Sequence, residues 1–285
     1  MSPIRRNARI PAPYPDAPWP SLAMVIVSDE LRVDTYAAAM VQALTTACRR
    51  AARTLVVLMA KSADRSDLLD QMATAPVDGF IVFAPSLGDD LAYETLAVDD
   101  RPVVFLGRTR VDADQPAVDV ENMLSSAKLV GHLLDTAGPR VAMIAGAQGR
   151  LASELRLEGF RTAHARRGLP IDESLIVHGN FNRLSGYQLA CTLLSNELDA
   201  IYCANDEMGL GAALAASERG LEIPRDLSLA GFDGSSAVRV DEPRLTSAEQ
   251  PFDLMASAAV RYLVDDPTVD PTPTVQLFDP LLRFG

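Results

Sequence analysis

Arg156, Asn205, Asp233 and Phe181 carry the side chains best suited to gripping a polyhydroxylated small molecule. A forked guanidinium, an amide and a carboxylate offer donors and acceptors to vicinal hydroxyls, and a phenyl face covers the C–H side of a ring. Their placement supports this. The short apolar runs Ala200–Ala204 and Leu227–Phe232 read as strands ending on Asn205 and Asp233, with a helical stretch, Asp206–Arg219, between them. In an open parallel sheet, ligands bind at the carboxyl ends of strands, which puts Asn205 and Asp233 on the rim of one cleft. Each residue also has a purely architectural reading. Arg156 is either a ligand clamp or a surface arginine paired with Glu154 or Glu158 along its helix. Asn205 can cap the following helix, a role that excludes nothing else. Asp233 can serve as a turn residue before Gly234. Phe181, between two asparagines, is either a loop plug or a stacking wall. None of the four is a nucleophile beside a base, which favours binding over catalysis.

Other chemistry finds little support. Ser28-Asp29-Glu30-Leu31-Arg32 follows the first strand where a dinucleotide-binding fold needs G-x-G-x-x-G. Gly146-Ala147-Gln148-Gly149 lacks the lysine of a phosphate loop and reads as a plain turn. His132, His164 and His178 are scattered, no C-x-x-C pair occurs, and no G-x-S-x-G elbow is present. Zinc and α/β-hydrolase chemistry are therefore unsupported. No cofactor and no enzymatic activity are expected.

The elements that position these residues alternate between strand and helix. Apolar runs at 23–28, 54–59, 79–84, 102–106, 140–145, 174–178, 200–204 and 227–232 alternate with helical stretches at 34–52, 64–74, 89–98, 123–136, 152–167, 185–196 and 206–219. Such alternation predicts parallel sheets built from βαβ units. The pattern restarts after Asn122, so two lobes of similar size are expected. A last amphipathic helix, 252–264, has Leu254, Ala258, Val260 and Leu263 as its apolar face, and a short strand follows at 275–277. Six of the 19 prolines fall in residues 1–20, which read as a linker or extended tail. The domain expectation is a tail at 1–20, a first lobe of 21–134 plus 252–277, and a second lobe of 135–251 plus 278–285.

Composition narrows the partners. The 285 residues carry a formal net charge of -12, which disfavours phosphate-driven nucleic-acid binding by the chain as a whole. No run of 18 apolar residues suggests a membrane span. The N-terminal segment holds no apolar core of a signal peptide, and three cysteines (Cys48, Cys191, Cys203) fit free thiols in a reducing compartment. A cytoplasmic location is expected.

Eight landmarks in order then resemble the effector-binding region of the LacI/GalR family of transcriptional regulators. They are Val77-Asp78-Gly79-Phe80-Ile81-Val82; Arg101 to Arg108; Val118 to Asn122; Arg156 to Phe160; Gly179-Asn180-Phe181 with Ser185-Gly186-Tyr187; Ala204 to Ala212; Ile223-Pro224 to Asp233; and Leu245-Thr246 with Gln250-Pro251. The resemblance spans about residues 21–284. It implies an α/β fold of two Rossmann-like parallel-sheet lobes joined by three crossovers, the type I periplasmic-binding-protein-like architecture, with the effector between the lobes. It implies that Arg156 clamps hydroxyls, that Asn205 and Asp233 accept and donate, that Phe181 forms an aromatic wall and that Gln250 sits at a crossover near the ligand. Asn122, Asp29, Arg108 and Tyr36 are weaker candidates on the same basis. The partners implied are a sugar-like effector and a second copy of the chain in a homodimer.

Two departures qualify the resemblance. The family's Asn-Pro-Phe-Phe loop reads Val33-Asp34-Thr35-Tyr36 here, so effector identity does not transfer. About 20 residues precede the first strand, where a helix-turn-helix headpiece with its hinge needs roughly 50–60, although Arg5-Arg6-Asn7-Ala8-Arg9 resembles the end of a basic hinge. Operator DNA is therefore expected to be reached only through a headpiece outside this sequence. The alternative is a stand-alone or periplasmic solute-binding protein for a sugar.

Overall fold

The structure, a computed structural model, describes residues 20–27, 34–61, 64–83, 100–110, 115–235, 245–265 and 275–285. Asp29, the expected helix at 89–98 and the proline-rich residues 1–19 lie outside them.

Two α/β units are present. The first combines the described residues of Met1–Asp119 with Phe252–Leu277, and the second combines Val120–Pro251 with Phe278–Gly285. In the first, β1 (Ser21–Val27), β2 (Thr54–Ala60), β3 (Gly79–Phe83), β4 (Val103–Leu106), β5 (Ala117–Val120) and β11 (Val275–Phe278) form a sheet in the order β11-β5-β4-β3-β1-β2. In the second, β6 (Val141–Ala145), β7 (Ile176–His178), β8 (Ala200–Cys203), β9 (Ser228–Asp233), β10 (Thr246–Glu249) and β12 (Leu281–Arg283) run β12-β10-β9-β8-β6-β7. Pairing is parallel from β2 through β5 and from β7 through β10, while β12 joins β10 antiparallel. The winding is the same in both: the first strand of each half pairs with the second on one side and the third on the other. That arrangement places a topological switch point at the carboxyl end of β6 and β8.

Sequence patterning explains which strands were legible. β1, β3, β4, β6 and β8 are buried along their whole length, as parallel strands covered by helices on both faces must be, and read as continuous apolar runs. β5, β10 and β12 were not foreseen. They span three or four residues each, and β10 reads Thr246-Ser247-Ala248-Glu249, with no apolar run to signal it.

Helices α1 (Thr35–Arg50), α2 (Arg65–Thr74) and α7 (Phe252–Val264) belong to the first unit, and α3 (Asn122–Thr136), α4 (Leu151–Ala165), α5 (Arg183–Leu193) and α6 (Asp206–Glu218) to the second. Asp34 caps α1 as expected, accepting the Ala37 N–H at 2.7 Å. On α7 the buried face is Met255, Ala256, Ala258, Ala259, Val260 and Leu263. Leu254, expected on that face, is 58% exposed.

The boundary between units falls after Asp119, whereas the sequence put it at 134. The reason is α3. It packs along α4 and on strands β6, β9 and β10, burying Leu129, Val130 and Leu133. Gly159 on α4 makes the close approach possible, because a Cβ there would overlap the Met123 carbonyl and the Ser126 side chain. Cys48 on α1 and Cys203 on β8 are fully buried, and burial pushes the Cys48 thiol up to about 11 and the Cys203 thiol higher still.

Candidate functional site

The second unit gathers six of the predicted residues, Arg156, Asn122, Asp233, Gln250, Asn205 and Phe181, into two linked clusters. Gly146, Phe181, Asn205, Asp233 and Gln250 each follow or end a strand, β6, β7, β8, β9 and β10 respectively. All five therefore stand at carboxyl strand ends, where a parallel sheet exposes its loops and helix N-termini.

Arg156 is the hub of the first cluster. It sits in the second turn of α4 and is 5% exposed, which rules out the surface charge pair that its neighbours Glu154 and Glu158 allowed. Its Nε donates to Asn122 Oδ1 at 2.8 Å, its Nη1 donates to the Ala204 carbonyl, and Nη1 lies 3.8 Å from Asp233 Oδ1. The guanidinium carbon stands 3.7 Å from the centroid of the Phe232 ring. A desolvated cation over an aromatic face gains about 2 kcal/mol. Asn122 opens α3 and is itself held, its Nδ2 donating to the Val120 carbonyl at 3.1 Å. Close packing of α3 on α4 at Gly159 thus sets the orientation of Arg156.

Asp233 completes this cluster. It ends β9 with φ at 113°, a conformation uncommon outside glycine and costing about 1–3 kcal/mol. Gln250 clamps it twice: the Gln250 N–H donates to the Asp233 carbonyl at 3.1 Å and its Nε2 to Oδ1 at 2.8 Å. Both residues are buried, at 7% and 3% exposure.

Asn205 and Phe181 form the second cluster. Asn205 Oδ1 accepts the Met208 N–H at 3.0 Å, so the capping role is real. Its Nδ2 donates to the Phe181 carbonyl at 2.9 Å. Phe181 has φ at 67°, and its ring packs where a Cβ on Gly146 would stand. The ring also rests against the unit's apolar core. Gly146, read from sequence as part of a plain turn, is the seat of this ring.

The remaining candidates lie apart from these clusters in the chain. Tyr36 and Arg108 belong to the first unit. Tyr36 packs on Phe83 and Phe252, with ring centroids at 5.4 and 5.3 Å. Arg108 Nε donates to Asp119 Oδ2 at 3.0 Å. Asp29 lies outside the described residues. His164 is buried against Phe160, its Nδ1 3.0 Å from the Phe160 carbonyl. Among the described residues no cluster of His, Cys, Asp or Glu could hold a metal ion, and no helix is long and apolar enough to cross a membrane.

Sequence reasoning missed three residues beneath the site. Tyr202 on β8 is buried with its hydroxyl 2.6 Å from Ser126 Oγ. Asp206 and Ser247, both buried, are bonded to each other at 2.7 Å. Asp206 read only as the start of a helix, and Ser247 sits in the strand that lacked an apolar signal.

Known proteins resemble this chain in sequence and fold. A family model described as the periplasmic binding protein-like domain matches residues 130–281. The HTH-type transcriptional regulator CelR of Thermobifida fusca is 33% identical over 210 residues, covering 72% of this chain and 62% of that protein. The HTH-type transcriptional repressor PurR of Klebsiella pneumoniae (strain 342) is 29% identical over 250 residues, covering 86% and 72%. The chain thus spans 62% of the length of CelR. Among solved structures, a transcriptional regulator CelR-cellobiose complex matches with a TM-score of 0.83 at 28% identity, covering 93% of this chain and 83% of that one. The transcription regulator CcpA of Lactococcus lactis matches with a TM-score of 0.82 at 21% identity, a likeness of fold alone, covering 93% and 98%. With this fold and these relatives, the chain belongs to the LacI/GalR family of transcriptional regulators, of which it carries the periplasmic binding protein-like domain.

Proposed function

We propose that this chain is the effector-sensing part of a LacI/GalR-type transcriptional regulator, and that its effector is a sugar or sugar derivative held by Arg156, Asp233, Asn205, Gln250 and Phe181, with Asn122 orienting the arginine. The observation that carries the reading is the convergence of a buried guanidinium, a buried carboxylate and two buried amides at carboxyl strand ends. Buried polar groups are costly unless hydrogen-bonded, and here the neighbours that satisfy each one also fix its geometry. Among the described residues Arg156 Nη2 makes no hydrogen bond, which leaves donors for a hydroxyl. Tyr36 and Arg108 are proposed as further effector contacts.

The CelR-cellobiose complex makes cellobiose the first sugar to test. Effector binding would favour one conformation by differential affinity and so alter operator binding by a helix-turn-helix segment of the whole regulator, acting as a dimer in the cytoplasm. The site is proposed to bind without turnover.

The test is titration calorimetry of a carbohydrate panel headed by cellobiose, with wild type and Arg156→Ala. At least one sugar is expected to bind and to be recovered unchanged, with affinity reduced tenfold or more in the variant, about 1.4 kcal/mol. Failure of every sugar, unchanged affinity in the variant, or conversion of the sugar would each overturn the reading.

A further inference from the structure

We infer that Asp206 is a positioning residue for the site: through Ser247 and the Ser235 amide it holds the turn that carries Asp233 out of β9. This rests on the binding role proposed for Asp233.

Asp206 is the first residue of α6 and is 1% exposed. Its Oδ1 accepts the Ser247 hydroxyl at 2.7 Å, and its Oδ2 accepts the Ser235 N–H at 2.6 Å. Ser247 Oγ in turn accepts the Gly234 N–H at 3.1 Å. One carboxylate therefore governs the backbone N–H groups of both residues that follow Asp233. Asp233 itself has φ at 113°, and such a conformation persists only where the surroundings over-determine it. Here the determinants stand on two sides. Gln250 grips the carbonyl and carboxylate of Asp233, and the Asp206–Ser247 pair grips the turn beyond it.

The chemistry of the grip calls for an ionised carboxylate. The Ser247 O–H and the Ser235 N–H point at its two oxygens, the Gly234 N–H and the Ser235 hydroxyl also favour its charge, and only the ionised form offers acceptors at both oxygens without a donor of its own. Protonation, or an amide in its place, replaces charge-assisted hydrogen bonds by weaker neutral ones. The groups facing Asp206 leave its charge without a cation among the described residues. Ser247 comes from β10, Ser235 follows β9 and Asp233, and the Cys203 thiol on β8 feels the carboxylate's charge. The neighbouring acids are engaged elsewhere, Glu207 with Arg183 and Glu249 with Arg283. The N-terminus of α6 supplies the favourable partial charge. Burial pushes the Asp206 carboxyl up to about 7, against the pull of its hydrogen bonds from Ser247 and Ser235. The hold on the turn is thus set to change around neutral pH, full when Asp206 is ionised and weakened when it is protonated.

The test needs no sugar, so failure of the carbohydrate reading leaves it intact. The ¹⁵N-labelled chain is titrated from pH 5.5 to 8.5 by two-dimensional NMR. The backbone amide signals of Gly234 and Ser235 and the side-chain amide of Gln250 are expected to shift with one midpoint near pH 7. Asp206→Asn should abolish that common titration. Ser247→Ala should keep it at both Gly234 and Ser235, whose N–H groups each act on the carboxylate, with a changed midpoint because one hydrogen bond to the charge is lost, which guards against an Asp206 variant that fails to fold. Absence of titration at Gly234 and Ser235 in wild type, or its survival in Asp206→Asn, overturns the inference.

Discussion

Arg156 Nη1 stands 3.8 Å from Asp233 Oδ1, with the two side chains 7% and 9% exposed, yet the hydrogen bonds of each go to other partners. The pair is held at ion-pair distance by its neighbours, Asn122 and Ala204 on one side and Gln250 on the other. Removing either side chain breaks a buried ion pair and the polar network around it, which costs about 3–5 kcal/mol. Arg156→Ala and Asp233→Ala are each expected to lower the urea unfolding free energy by about that amount, and the double variant by clearly less than their sum. Strict additivity would show that the two do not interact.

Asn205 serves two masters, and a single substitution separates them. Asn205→Asp keeps an acceptor for the Met208 N–H but sets a carboxylate against the Phe181 carbonyl. Its melting temperature should stay within a few degrees of wild type, since the cap survives, while affinity for any sugar that binds drops about tenfold because Phe181 loses its tether. Asn205→Ala should lose both, with about 1–2 kcal/mol of stability gone from the cap alone. Equal sugar affinity in wild type and Asn205→Asp would remove the Asn205–Phe181 pair from the site.

Gly146 and Phe181 compete for one space. In Gly146→Ala the new methyl overlaps the ring, so the ring must leave its seat or the backbone must move. The expected loss is about 1–3 kcal/mol, typical of overpacking. Phe181→Ala should suppress most of the effect of Gly146→Ala in the double variant, by clearing the obstacle. Denaturant titration of the four proteins decides it, and no suppression would mean that the strain lies in the backbone.

The Asp206 carboxyl also predicts a pH trend in stability. Its native value of about 7 lies above the ordinary 3.8 because burial disfavours the charge. The folded chain therefore binds this proton more tightly than the unfolded chain. Its contribution to stability is fully present below about pH 4 and is lost as pH rises through about 7. Relative to Asp206→Asn, the unfolding free energy of wild type should fall between those values and level off above them. A flat difference across the range would show an ordinary carboxyl.

The architecture was legible because parallel strands covered on both faces announce themselves as apolar runs. β1 and β6 are such strands, and β10, four residues of mostly polar character between β9 and β12, is not. Arg156 illustrates the limit at the site. Within its own helix it stands beside Glu154 and Glu158, and a local reading sees a charge pair. Its actual partners are 34, 48 and 77 positions away, at Asn122, Ala204 and Asp233. Asp206 was invisible for a related reason: the donors that give it a role, Ser235 and Ser247, meet it only once β9 and β10 are side by side. Asn205 was the opposite case, since a cap is a local device and its signature survives in the bare sequence.

Each half of the polypeptide contains one entombed thiol, Cys48 in the first and Cys203 in the second. Alkylating reagents attack a thiolate, and both thiols are sealed from solvent and kept protonated by burial. Labelling at either position must wait for the surrounding half to open, while the partly accessible Cys191 sets the baseline for unhindered reaction. The native molecule therefore carries its own pair of clocks, so mass spectrometry of timed alkylation can read how often each half breathes without any engineered tag.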